Sequence, residues 1–169
     1  MYEKELQRIL NASQNNALTF FVGAGVSALS GAPIWKALIH AISDKLGRTR
    51  KDEYSSDENL QIPQMFYYSL GENKEEYYRF VKEQLYSASL LPNTIHREML
   101  NLNPVSFITT NYDTLLEDAA VQYCQSFKVV SQDEDVPTIF GDRFILKLHG
   151  DFKHNTESNQ ECKYMVSLL

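Results

Sequence analysis

Cysteine is scarce in this chain. Cys124 and Cys162 are the only two in 169 residues, far apart and in no CxxC pair. A disulfide framework and a four-cysteine zinc site within the chain are both excluded, and a reducing cytoplasm is expected, with both thiols buried or idle. Long apolar runs are also missing. None approaches the roughly 20 residues that cross a bilayer, so no membrane partner is expected. The opening Met1-Tyr2-Glu3-Lys4-Glu5 is charged and has no signal-peptide core. There is no basic run, and the net charge is −6, so nucleic acid is not an expected partner. No internal repeat or low-complexity segment interrupts the chain. Glycine numbers only 7, yet two of them stand together in Gly23-Ala24-Gly25.

What is present reads as one globular domain. Hydrophobic residues make up 43% and charged residues 22%, ordinary values for a chain with a packed core. Ala17 to Val22 is a short continuous apolar run, the pattern of a central strand buried on both faces. Val105 to Thr109, Phe127 to Val130 and Phe144 to Leu148 read as further strands. Helical spacing marks the first dozen residues through Leu6, Ile9 and Leu10. It also marks a segment from Trp35 to Leu46, closed by Gly47. Arg48 to Asn59 is polar and reads as a loop. Leu60 to Leu100 reads as a helical insertion, with a helix over Glu75 to Tyr86 and another capped by Pro92-Asn93. Its tyrosines, Tyr67, Tyr68, Tyr77 and Tyr78, read as helix packing. Asp113 to Ala120 is helical. Asp151 to Glu161 reads as a loop, and Tyr164 to Leu169 could begin another strand. Strands alternating with helices predict an α/β fold with a parallel sheet flanked by helices.

Three motifs follow strands: Gly23-Ala24-Gly25-Val26-Ser27, Thr109-Thr110-Asn111-Tyr112-Asp113 and Lys147-Leu148-His149-Gly150. In an open α/β sheet, ligands bind at the carboxyl ends of the strands. Two glycines without Cβ atoms let a backbone approach a pyrophosphate, and a following helix adds positive potential. A GxG turn can equally be tight geometry alone. The third glycine of the dehydrogenase fingerprint falls on Ala28, an allowed variant, and no ribose-binding acid after a second strand is visible. Ser27 is a candidate N-cap. Asn111 and Asp113 suit either a ligand or local capping, and one of them is expected to cap. His149 stands at a strand end where a base is useful. A metal on His149, Asp151 and His154 fits no strong ligand spacing, so none is expected. His40 and His96 read as packing or surface residues.

Together these residues resemble the sirtuin-like family. The match runs in order through Gly23-Ala24-Gly25-Val26-Ser27, Pro92-Asn93-Thr94-Ile95-His96, Thr109-Thr110-Asn111-Tyr112-Asp113 and His149-Gly150, over about Leu18 to Gly150. It is most similar to the bacterial branch found in antiphage defence, where the second motif reads TTNYD and the third KLHG. The departures are specific. Protein-deacylating sirtuins carry glutamine where this chain has Thr110. They have an acidic–aromatic–arginine run where Pro33 is followed here by Ile34-Trp35-Lys36. They also carry a four-cysteine zinc module, absent here.

The resemblance implies a Rossmann-like domain that takes NAD as substrate and cleaves its nicotinamide–ribose bond without a metal, as an NAD-depleting defence effector. By the same resemblance Gly23, Ala24, Gly25 and Ser27 anchor the pyrophosphate, and Thr110 is a further substrate-binding residue. Asn111 orients the ribose or water, His149 acts as base, and Asp113 positions the ribose or braces the Asn111 loop. The alternatives are a non-catalytic module that binds NAD or ADP-ribose and, more weakly, a protein deacylase. The family completes its adenosine pocket after the histidine motif. The domain is therefore expected to be incomplete at its C-terminus and weak or inactive alone, relying on self-association as a homo-oligomer or on a fused or partner effector domain.

Overall fold

A computed structural model of the protein describes residues 2–85, 90–138 and 141–151. In chain order the elements are α1 (Glu3–Gln14), β1 (Thr19–Val22), α2 (Ala24–Ala28), α3 (Trp35–Lys45), α4 (Ser56–Ser69), α5 (Lys74–Leu85), α6 (Thr94–Asn101), β2 (Ser106–Thr109), α7 (Leu115–Gln122), β3 (Lys128–Val130) and β4 (Phe144–Lys147). The described residues fall into two compact units, one from residues 2–30 and 90–151, the other from residues 31–85.

The first unit holds the sheet. All four strands are parallel, in the order β1-β2-β4-β3. The fold is therefore the expected α/β parallel sheet with flanking helices. Phe107 and Ile145, from the two inner strands, are fully buried. They join Val22, Leu100 of α6, and Leu116, Ala119 and Ala120 of α7 in one core. Phe20 stacks on Phe107 at 5.8 Å between ring centres. The helix over Thr94–Asn101 starts where Asn93 predicts, because its side-chain oxygen accepts the Ile95 N–H at 2.9 Å.

β1 departs from expectation. Among the described residues it lies at the sheet edge rather than the centre, and Phe21 is 68% exposed. Only the face carrying Phe20 and Val22 meets the core. A short apolar run looks the same in either place, because neighbouring strands decide which faces are covered. α1 forms where its spacing predicts, yet it buries none of its residues. The helix after the glycine turn begins at Ala24, with Gly23 at its N-cap, so Ser27 lies inside it and is not the cap.

The second unit is helical. α3 buries Leu38, Ile39 and Ile42, and Gly47 follows it at φ +66°. The expected loop to Asn59 ends early. Ser55 accepts the Glu58 N–H, and the Glu58 carboxylate accepts the Ser55 N–H, a capping box that opens α4. Tyr77 and Tyr78 of α5 are buried against aromatic neighbours, in line with the packing role read from the sequence. The helical unit thus starts earlier than the expected insertion, while α6 packs with α7 of the sheet unit. No described helix is long and apolar enough to cross a membrane. Of the expected C-terminal loop and strand only Asp151 is described, and it is buried. His154, Cys162 and the segment from Tyr164 lie outside the described residues.

Candidate functional site

The strand register assembles the site. Val22 pairs with Thr109, and Thr109 pairs with Lys147, so β1, β2 and β4 end level with one another. The three motifs therefore leave the sheet side by side at its carboxyl edge, where such sheets bind ligands. The Leu148 N–H donates to the Thr109 carbonyl at 2.9 Å, which carries the pairing one step past β4.

Buried polar groups then tie the motifs together. The Thr109 hydroxyl donates to the Val22 carbonyl at 2.9 Å and accepts the Asn111 N–H at 3.0 Å. The Asn111 amide donates to Ser27 Oγ at 2.9 Å, and both residues are buried. The asparagine loop after β2 is thus fastened to the glycine turn after β1. Asn93 supports the same turn, because its amide nitrogen donates to the Val26 carbonyl at 2.8 Å and to Ser30 Oγ at 2.9 Å. Thr110 is half-buried beside this network. Asp113 takes the capping role, accepting the Leu115 N–H at 3.1 Å at the start of α7.

The glycine turn has an informative property. Neither Gly23 nor Gly25 has a positive φ, and a Cβ built on either would meet no atom within 4 Å. Backbone strain and internal packing therefore explain neither glycine. Ala24 and Gly25 are exposed. A bare, open backbone at the edge of a parallel sheet fits the close approach of a ligand. α2 itself spans only five residues, so its dipole adds little. Gly150 is different. It has φ +71°, it closes the turn that begins at Lys147, and a Cβ there would press on the Ser131 carbonyl at 3.3 Å.

His149 occupies that turn. Its imidazole lies against the Tyr112 ring, 5.9 Å between centres and 29° between planes. Its Nδ1 is buried without a hydrogen-bond partner among the described residues. A buried ring nitrogen left without a partner at the carboxyl edge of a parallel sheet makes His149 a candidate site residue. His96, read as packing, is buried, and its Nδ1 accepts the Asn93 N–H at 3.2 Å. Burial lowers its pKa, against the opposing pull of the Asp113 carboxylate. His40 makes its bond to the Lys51 carbonyl within the helical unit. Cys124, expected buried or idle, is exposed. Among the described residues no group of three or more His, Cys, Asp or Glu is placed to hold a metal.

Three residues of the quoted motifs have no role that the sequence assigns. Lys147 is a charged residue at a buried position of an apolar strand, and that clash with the strand pattern is its signal. Thr109 and Tyr112 belong to a motif already in view, but only their partners give them roles.

Comparison with known proteins gives a consistent set of relatives. Residues 105–165 match the family model described as a SIR2-like domain. The chain is 40% identical over 149 residues to defense-associated sirtuin 2 of Bacillus subtilis, covering 88% of this chain and 14% of that protein. It is 25% identical over 155 residues to the NAD(+) hydrolase ThsA of Cytobacillus dafuensis, covering 90% and 30%. It is 34% identical over 120 residues to an NAD-dependent protein deacetylase of Staphylococcus epidermidis, covering 69% and 44%. The chain spans less than half the length of each of these relatives.

Proposed function

The chain belongs to the SIR2-like family, and we propose that it is the NAD-binding part of an enzyme that hydrolyses the nicotinamide–ribose bond of NAD. The observation that carries this reading is the buried bond from Asn111 to Ser27, which joins the open glycine turn to the asparagine loop. The resemblance to a defence-associated sirtuin and to an NAD hydrolase supports a role in NAD depletion during antiphage defence.

Each residue has a defined task. The bare backbone from Gly23 to Ser27 lies against the pyrophosphate. Asn111, its amide nitrogen held by Ser27, keeps Oδ1 to accept a hydrogen bond from a ribose hydroxyl or the attacking water. Water forms a bond to the anomeric carbon, and the ribose–nitrogen bond breaks with its electron pair leaving on nicotinamide. The proton shed by water passes to His149. The transition state carries positive charge on the ribose, so a rigid, pre-arranged set of acceptors lowers the barrier. Asp113 braces the loop through its cap on α7.

The test uses the full-length protein. Nicotinamide release from NAD in the absence of any acetylated peptide is the expected result. Release only on adding an acetyl-lysine peptide would make the protein a deacylase. ADP-ribose binding without release would make it a sensing module. Gly25→Val checks the glycine turn separately. Because a Cβ meets open space there, the variant is expected to fold and to lose affinity for ADP-ribose in calorimetry. Equal affinity in both proteins would remove the turn from the site.

A further inference from the structure

Lys147 is the only charged residue in β4, and its side chain is completely buried. Its ammonium has three N–H donors. They meet the Asp113 carbonyl at 2.7 Å, the Tyr112 carbonyl at 3.3 Å and Glu117 Oε1 at 2.9 Å. A buried ion pair is poor evidence of stability, because an apolar side chain of similar size at such a site is often as stable or more so. What an apolar residue would lack is the bond to the backbone of residues 112 and 113. From the other end of the same residue, the Lys147 carbonyl accepts the Gly150 N–H at 3.0 Å and closes the turn that carries His149. One residue therefore holds the backbone of Tyr112 and starts the turn of His149, and the two rings lie against each other at 5.9 Å.

We propose that Lys147 and Tyr112 are positioning residues for His149. Lys147 sets the height of the Tyr112 backbone relative to β4, and the Tyr112 ring then limits the swing of the imidazole. The imidazole needs such a support, because its Nδ1 has no hydrogen-bond partner among the described residues to hold the ring. The inference rests on the hydrolase reading only for its consequence in catalysis. The placement of the imidazole can be measured without any turnover.

The experiment reads both. With histidine isotopically labelled, the His149 ring signals are identified among the four histidines by their absence in His149→Gln. Stacking on Tyr112 gives them an upfield ring-current shift. Tyr112→Leu is expected to lose that shift and Tyr112→Phe to keep it. Lys147→Met is expected to lose it although it leaves the Tyr112 ring in the chain. If Lys147→Met does not fold, Glu117→Gln carries the same test, since it removes the carboxylate charge paired with the ammonium. Nicotinamide release is then measured per site, with sites counted by ADP-ribose stoichiometry. The expectation is a fall in kcat of up to about 100-fold, the scale on which a misplacement of 1 Å acts, with KM nearly constant. His149 signals unchanged in the Lys147 and Glu117 variants would overturn the inference whatever the activity. A lost shift with undiminished kcat would also overturn it as a statement about catalysis. A lost shift in a protein that releases no nicotinamide supports the placement and counts against the hydrolase reading alone.

Discussion

In the helical unit a cluster of rings packs beside the buried aliphatic side chains Leu38, Ile39, Ile42 and Ile62. Phe66 lies 4.8 Å from Phe80 and 5.9 Å from Tyr77, and Tyr77 meets Tyr67 edge-on at 5.8 Å. Burial pushes the Tyr77 hydroxyl up to about 12, so it remains protonated and inert. In the sheet unit the interior is apolar at the sheet and polar at its carboxyl edge. Tyrosines aside, every buried polar side chain among the described residues except Ser43 lies in the sheet unit. An unpaired buried polar group costs about 1–3 kcal/mol, so such groups persist where they bond. In the sheet unit they bond between motifs distant in sequence. Tyrosines alone would have drawn attention to the wrong unit. The bonds that cross elements mark the candidate site.

The largest effect expected from this contrast is catalytic. In the full-length protein, Asn111→Ala and His149→Ala should each lower nicotinamide release by about 10²–10⁴-fold, the usual contribution of positioned acid–base and orienting groups. Assays paired with melting curves check this. A parallel collapse of the fold would turn the residues into structural ones and break the contrast.

Next in size is a change confined to the helical unit. Phe66→Ala removes a buried ring from the aromatic cluster and should cost about 3–5 kcal/mol in denaturant unfolding. The affinity of the folded fraction for ADP-ribose should stay the same. A large loss of affinity in folded protein would show that the helical unit takes part in binding.

A smaller loss is expected from Ser27→Ala, which leaves the Asn111 amide without its buried partner. The expected loss is about 1–3 kcal/mol in unfolding, with weaker ADP-ribose binding. Unchanged stability and binding would mean that the Asn111–Ser27 bond fastens nothing.

The smallest effect concerns pH. Burial holds His96 below its ordinary value of 6.5, so the unfolded chain takes up the proton first as pH falls. The stability linked to neutral His96 is therefore complete above about pH 6.5 and is lost progressively as pH drops through the lowered value. Melting temperatures from pH 7 to pH 5 should fall more steeply in the wild type than in His96→Gln. Parallel curves would rule out this linkage.

Much of the fold was legible because strands and helices announce themselves locally. The runs at β2, β3 and β4 bound their strands to within one residue, and Asn93 marks the start of α6 by its own capping chemistry. The start of α4 was missed because its capping box lies in a polar stretch that also reads as a loop. Phe21 in an apolar run gave no hint that it would be exposed, since exposure depends on whether another strand lies beside β1. The three motifs of the site were visible as short patterns of glycine, asparagine and histidine. Their division of labour was not. By residue type either Asn111 or Asp113 suits a cap, and the bonds to Ser27 and Leu115 decide which.

The sequence by itself determined the α/β character of the sheet unit, the position of the glycine turn and the ends of the inner strands. Each of these follows from residues within a few positions of one another. Only the tertiary structure decided that β1 is an edge among the described strands, that Lys147 is buried with three acceptors, and that Asn111 meets Ser27 across 84 residues. The physical reason is the range of the forces involved. Backbone preference and hydrophobic period act along the chain and can be read there. Burial and hydrogen bonding act through space, and their partners are chosen by the strand register.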